Sequence, residues 1–143
     1  MPPLEGATEW INGGPVGPAS LAGRPALVHF WALSCPGCHD LMPAVVQWEQ
    51  RYSPRGLQVV AVHQPRVPED DDPAAVRRAA AEMGLAHPIA VDGDRRIAAA
   101  WENRFLPAFY LFDGAGRLAH YQAGIRGQRM LQQAIERVLA PAG

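Results

Sequence analysis

Apolar positions in this chain fall into short unbroken runs, separated by stretches with helical periodicity. Residues 25–32, PALVHFWA, are nearly all apolar, as expected of a central strand covered on both faces. LQVVAVH (57–63) reads as a second buried strand, and HPIAV (87–91) as a short third. A helix is expected from about Pro36 to Tyr52. Pro36 suits its first turn, where a missing N–H costs nothing, and Pro43 should kink it. Asp72-Pro73 reads as the cap and first position of a helix that stops at Gly84. A short helix is expected within 92–103. PAFYLFD (107–113) and RLAHYQA (117–123) flank Asp113-Gly114-Ala115-Gly116, a hairpin signal. The last helix, from about Gly127 to Leu139, presents Leu131, Ile135 and Val138 on one face.

The first 24 residues are rich in Gly and Pro. They read as a lead-in arm, with a small hairpin at Asn12-Gly13 after the apolar pair Trp10-Ile11. Residues 64–84 form an insert of a polar loop and a helix. Its acidic run, Glu69 to Asp72, reads as a solvated loop plus a helix cap. The resulting order, β-α-β-α-β-α-β-β-α, predicts an α/β fold. Parallel strands with crossover helices are closed by an antiparallel hairpin into a mixed sheet. Nothing resembling a linker or repeat divides residues 1–143, so one domain is expected.

Composition narrows the function classes. With 48% hydrophobic and 19% charged residues, the chain can bury a core and does not read as disordered. A net charge of −1 provides no field for nucleic acid or anionic lipid. No run approaches the roughly 18 apolar residues of a membrane span. The N-terminus, MPPLEGATEWINGG, has no basic n-region and no apolar h-region. A cytoplasmic location is therefore expected if Met1 is the native start, and an extracytoplasmic one if a signal or anchor has been removed. The even charge and the lack of a long amphipathic stretch favour a monomer.

The chemistry concentrates in SCPGCH (34–39), which holds both cysteines of the chain. A redox dithiol needs a stabilised thiolate and a second thiol one turn away. A helix N-terminus supplies both, through its free N–H groups and the i to i+3 spacing. Cys35 falls at the strand-to-helix junction and Cys38 one turn inside. Cys-x-x-Cys-His is also the attachment signature of a c-type haem, with Met42, Met83 or Met130 as a second axial ligand. A zinc site would need two more ligands from His29, His39, His63, His87 and His120, none at finger-like spacing. The blandest alternative is two inert buried cysteines.

These residues resemble the thioredoxin fold and, within it, the TlpA/ResA-like thiol–disulfide oxidoreductases. FWALSCPGC resembles the family's strand–Trp–Cys-x-x-Cys signature. Pro43, eight residues after Cys35, matches the kink of its active-site helix. LPAFYLFD resembles the segment whose cis-proline faces the dithiol, which makes Pro107 the candidate. Gly124 resembles the family glycine after the final hairpin. The helix at 73–83 resembles the insert of this branch, and WENRFLPAFYLFDGAGR with VVAVHQP is similar to the soluble domain of DipZ-type proteins. The resemblance covers roughly residues 10–140.

The resemblance implies a three-layer fold with helices on both faces of the sheet. It also implies thiol–disulfide exchange with protein disulfides, re-reduction by an external thiol reductant, and no cofactor beyond the Cys35–Cys38 couple. Cys35 is the expected nucleophile and Cys38 the resolving thiol. Pro36 and Gly37 would tune the turn, Trp31 would stack beside the site, and Leu106 would offer its backbone to an extended substrate. Two positions depart from the family. His29 stands where thioredoxins carry a buried Asp, and Leu41 where ResA-like proteins often carry a Glu. His29 is thus a candidate proton acceptor for Cys38, or a core histidine bonded to a backbone carbonyl. His39 would favour a thiolate if charged, and His63 and His87 read as solvated or core-capping. Trp101, Phe105 and Tyr110 read as core or groove rim. The other function classes are a binding or carrier module for metal or haem, and a thiol peroxidase. The peroxidase pattern would need Pro and Thr where Leu27 and Trp31 stand.

Overall fold

A computed structural model describes residues 1–140; the last three residues of the expected 1–143 domain lie outside it. Six strands form one mixed sheet: β1 (Glu9–Ile11), β2 (Ala26–Trp31), β3 (Gln58–His63), β4 (Ile89–Val91), β5 (Ala108–Phe112) and β6 (Leu118–Ala123). Their spatial order is β1-β4-β3-β2-β5-β6. The β2–β3 and β3–β4 pairs are parallel; β1–β4, β2–β5 and β5–β6 are antiparallel. The helices are α1 (Pro18–Leu21), α2 (Pro36–Tyr52), α3 (Pro73–Met83), α4 (Arg96–Trp101) and α5 (Gln128–Leu139).

All six residues of β2 are buried, because the strand lies in the sheet's centre and both its faces are covered. Leu27 and Trp31 pack into one core with Leu41, Met42, Val45 and Trp48 of α2, Val76 of α3, and Leu131 and Ile135 of α5. Val28 and Phe30 point the other way, into a second core with Leu21, Ile97 and Trp101. This alternation puts His29 on the α2 face of the sheet. Polar contacts at the helix margins tie α2 to α5. Trp48 Nε1 donates to Gln132 Oε1 at 3.1 Å, and the Tyr52 hydroxyl donates to Glu136 Oε1 at 2.7 Å.

α2 and α3 occupy the expected spans. Asp72 accepts the Ala74 N–H at 3.1 Å, and α3 ends on Gly84 at φ +76°, where a side chain would be strained. Two expectations need correction. Trp10-Ile11 does not enter a hairpin at Asn12-Gly13. β1 pairs instead with β4, about eighty residues away, as Ile11↔Ile89. Asn12 turns the chain and donates its side-chain N–H to the carbonyl of Leu85 at 2.8 Å. A local return strand would run through Pro15 and Pro18, which lack the N–H a ladder needs. The helix expected within 92–103 is confined to Arg96–Trp101, because Asp92 is buried and caps it by accepting the N–H of Ile97 and of Ala98, both at 2.9 Å.

Leu27 has no exposed surface at the centre of β2, so Leu27→Ala should cost about 2–5 kcal/mol through lost burial and the cavity left behind. Chemical denaturation checks this; a cost under about 1 kcal/mol would remove Leu27 from the structural centre.

Candidate active site

β2 leaves the sheet at Trp31, and α2 begins five residues later. The connection must turn sharply, and Cys35 caps the new helix with extended backbone at φ −102°, ψ 101°. Its sulfur accepts the N–H of Cys38 at 3.2 Å, so one free donor of the first turn is spent on sulfur. The two cysteines are joined as a disulfide, with Cα atoms 5.3 Å apart. Pro36 takes the first helical position. In this oxidised state Cys35 is almost as buried as Cys38, at 3% and 2% exposure. A redox dithiol asks for a more open first cysteine than this.

Neighbouring loops close around the pair. The Leu106–Pro107 peptide bond is cis, and the Pro107 carbonyl accepts the Gly124 N–H at 2.8 Å. A Cβ on Gly37 would meet Ile125 Cγ2 at 2.7 Å and Pro107 Cδ at 3.5 Å. Gly37 therefore lets Ile125 and Pro107 come up to the turn between the two sulfurs. Ile125 and Phe105 are over half exposed, and Leu106 is partly buried against the α2-side core. Trp31 is buried in the same core as both cysteines, with its ring edge-on to His63 at 4.8 Å. Asn103 braces the approach to Pro107. Its amide donates to Gln64 Oε1 at 2.8 Å and to the Phe105 carbonyl at 3.0 Å, and it accepts the Tyr110 hydroxyl at 2.8 Å. Trp101 is a core residue.

The strongest departure from the sequence reading is Asp70. It is not solvated: it is 2% exposed and its carboxylate reaches the residue just before Cys35. It accepts the Ser34 N–H at 3.0 Å, the Ser34 hydroxyl at 2.7 Å, and the backbone N–H groups of Arg66 at 2.9 Å and Val67 at 3.4 Å. Burial alone would push its pKa up. The donors of Arg66, Ser34 and Val67 outweigh burial and hold the carboxyl below the usual carboxylate value. One residue upstream, Leu33 is gripped twice. Its N–H donates to His63 Nε2 at 3.2 Å, and its carbonyl lies 2.9 Å from His39 Nε2. The Gln64 N–H donates to the Trp31 carbonyl at 2.8 Å. The end of β3 and the insert, with His39 of α2, thus hold the β2–α2 connection. An acidic run gives no local sign of which carboxylate turns inward, so only the cap at Asp72 was legible.

His63 and His87 are buried, not solvated. His29 is buried too, and its Nε2 lies 2.9 Å from His87 Nε2, so its partner is a second imidazole and not a backbone carbonyl. One ring must donate and the other accept, so the accepting ring is neutral. Burial, then the neighbouring His87, holds the His29 pKa well below 6.5; burial takes both His63 and His87 down to about 4. Among the described residues no three His, Cys, Asp or Glu side chains gather as a metal site. No described helix is long and apolar enough to cross a membrane.

The family profile described as Redoxin matches residues 11–139. The chain is 42% identical to the thiol-disulfide oxidoreductase YkuV of Bacillus subtilis, over 98% of this chain and 94% of that protein. It is 35% identical to the protein DipZ of Mycobacterium tuberculosis over 99% of its own length, which spans 21% of DipZ. A solution structure of a thioredoxin-like protein in the oxidised form superposes with a TM-score of 0.90 at 42% identity, covering 100% of this chain and 96% of the other.

The buried histidines make acid stability a test of this geometry. Unfolded, His63 and His87 take up protons near 6.5; folded, they resist until about 4. Each therefore contributes stability above pH 6.5 that is lost as pH falls through the window from 6.5 to about 4, with His29 acting in the same direction. Denaturant midpoints should drop steadily from pH 7 to 4.5. A flat profile over that range would place these rings in contact with solvent.

Proposed function

Because the chain belongs to the Redoxin family, and is a thiol–disulfide oxidoreductase by its relatives and its Cys35–Cys38 disulfide, we propose that it reduces disulfides in proteins with Cys35 as nucleophile. The observation that carries this reading is the position of Cys35 at the cap of α2, with its sulfur accepting the Cys38 N–H at 3.2 Å. The helix N-terminus that donates this bond also stabilises a thiolate at the same atom.

In the reduced protein, the Cys35 thiolate attacks one sulfur of a substrate disulfide. A new Cys35–substrate S–S bond forms, the substrate S–S bond breaks, and the second substrate sulfur leaves as a thiolate. Cys38 then gives up its proton and attacks the Cys35 sulfur. The Cys35–Cys38 bond forms, the remaining substrate sulfur leaves, and the proton passes to the departing thiolates. Two electrons move from the dithiol to the substrate. In a compartment whose thiol pool is reducing, an external thiol reductant restores the dithiol. The Leu106–Pro107 segment and exposed Phe105 and Ile125 form the rim on which an extended substrate segment docks. Pro36 and Gly37 shape the turn that carries the couple, and Trp31 backs it from the core.

His29 stands on the α2 face of β2 in the neutral form that a proton acceptor needs. A proton acceptor works best with a pKa near the working pH, so burial and His87, which lower that of His29, make it a weak acceptor of the Cys38 proton.

Cys35→Ser should abolish turnover of a disulfide substrate, whereas Cys38→Ser should accumulate Cys35–substrate mixed disulfides. Thiol-trapping mass spectrometry reads both, and equal residual activity in the two variants would dismiss the division of roles. His29→Ala should slow the second step several-fold at neutral pH and flatten its pH profile. Unchanged rates in stopped-flow measurements would leave His29 a packing residue.

A further inference from the structure

The Asp70 carboxylate is a full charge buried against Ser34, the residue before the attacking cysteine; bracing the turn needs hydrogen-bond acceptors but no charge, and the exchange steps do not use one. Its partners among the described residues are dipoles: the Ser34 hydroxyl and the backbone N–H groups of Ser34, Arg66 and Val67. The adjacent Asp71, in contrast, faces Arg95 at 3.4 Å. The other groups near the Cys35 turn do not cancel the Asp70 charge. His63, at the end of β3, is neutral and spends Nε2 on the Leu33 N–H. His39 of α2 has Nε2 on the Leu33 carbonyl, Arg66 faces Asp70 through its backbone, and Pro107 and Ile125 are apolar. The N-terminus of α2 favours negative charge on Cys35; the carboxylate behind Ser34 opposes it.

We propose that Asp70 is a positioning residue for the redox couple: it fixes the turn before Cys35 and, through its charge, destabilises the Cys35 thiolate relative to the disulfide. A disulfide couple whose reduced form is stabilised as thiolate is a strong oxidant, as in DsbA. Asp70 works in the opposite sense and makes the dithiol the better electron donor. The electron balance is that of the couple itself. Cys35–Cys38 takes up two electrons and two protons to become the dithiol, and a thiolate-disfavouring charge raises the free energy of that product. This inference rests on the reductase reading above and gives it a physical device.

The test compares the full-length wild type with Asp70→Asn, Asp70→Ser and Ser34→Ala. All are checked for folding by circular dichroism. Two readouts are taken: the pH dependence of Cys35 alkylation by iodoacetamide, and the redox equilibrium with glutathione. The neutral Asp70 variants should lower the Cys35 pKa, raise alkylation in the acidic limb by about five- to tenfold, and shift the equilibrium toward the dithiol by a similar factor, as expected for one charge removed beside the neighbouring Ser34 in partly screened surroundings. Asp70→Ser keeps the test open if Asn strains the loop. Ser34→Ala loosens the same turn but keeps the charge, so it should leave both readouts unchanged or move them slightly the other way. If the Asp70 variants shift neither readout, or if Ser34→Ala reproduces their shift, Asp70 is a structural clamp only and the inference is overturned. A wild type that oxidises glutathione as readily as a DsbA-type couple would instead overturn the reductase reading, whatever the variants do.

Discussion

A single backbone donor, the N–H of Cys38, aimed at the sulfur of Cys35, is the contact on which the chemistry turns. It exists because β2 ends and α2 begins within five residues, which leaves Cys35 as the cap of the helix. The strand behind that junction is fixed in place by packing and pairing. All six β2 residues are buried between two cores, and the strand is paired with β3 on one side and β5 on the other. Core packing, far from the sulfur atoms, thus sets the direction in which the first-turn donors point.

The connection between strand and helix has no regular structure of its own, so its polar groups need partners from outside. Apart from His39 of α2 on the Leu33 carbonyl, they come from one direction. Trp31, Leu33 and Ser34 are bonded by Gln64, His63 and Asp70, all in β3 or the insert that follows it. On the opposite side, Asn103 connects the insert's first residues with the segment that leads to Pro107. The insert is therefore more than a decoration on the sheet edge. It is the wall against which the redox turn is braced.

Periodicity revealed most of this fold because each long element is either buried on both faces or strictly one-sided. β2, α2, α3 and α5 follow from runs such as ALVHFW and from the spacing of Leu131 and Ile135. The pairing of β1 with β4 was not legible, since three residues with one buried side chain carry no signal for a partner about eighty positions away. At the site, Cys35, Cys38 and the Leu106–Pro107 segment stood out by residue type and spacing. Asp70 and His87 did not. A carboxylate in an acidic run reads as solvated, and only the three-dimensional arrangement shows four donors converging on it, or one imidazole meeting another.

The disulfide closes a loop of only three steps along the chain. Its two ends are already held close by the first turn of a helix that is anchored elsewhere. Cross-links restrict the unfolded ensemble in proportion to the logarithm of the loop they close, so a ring this small removes little chain entropy. Electron transfer is thereby uncoupled from folding. The protein can gain and lose its covalent bond on every cycle while the scaffold keeps nearly the same conformational freedom, as a carrier that must be used repeatedly requires.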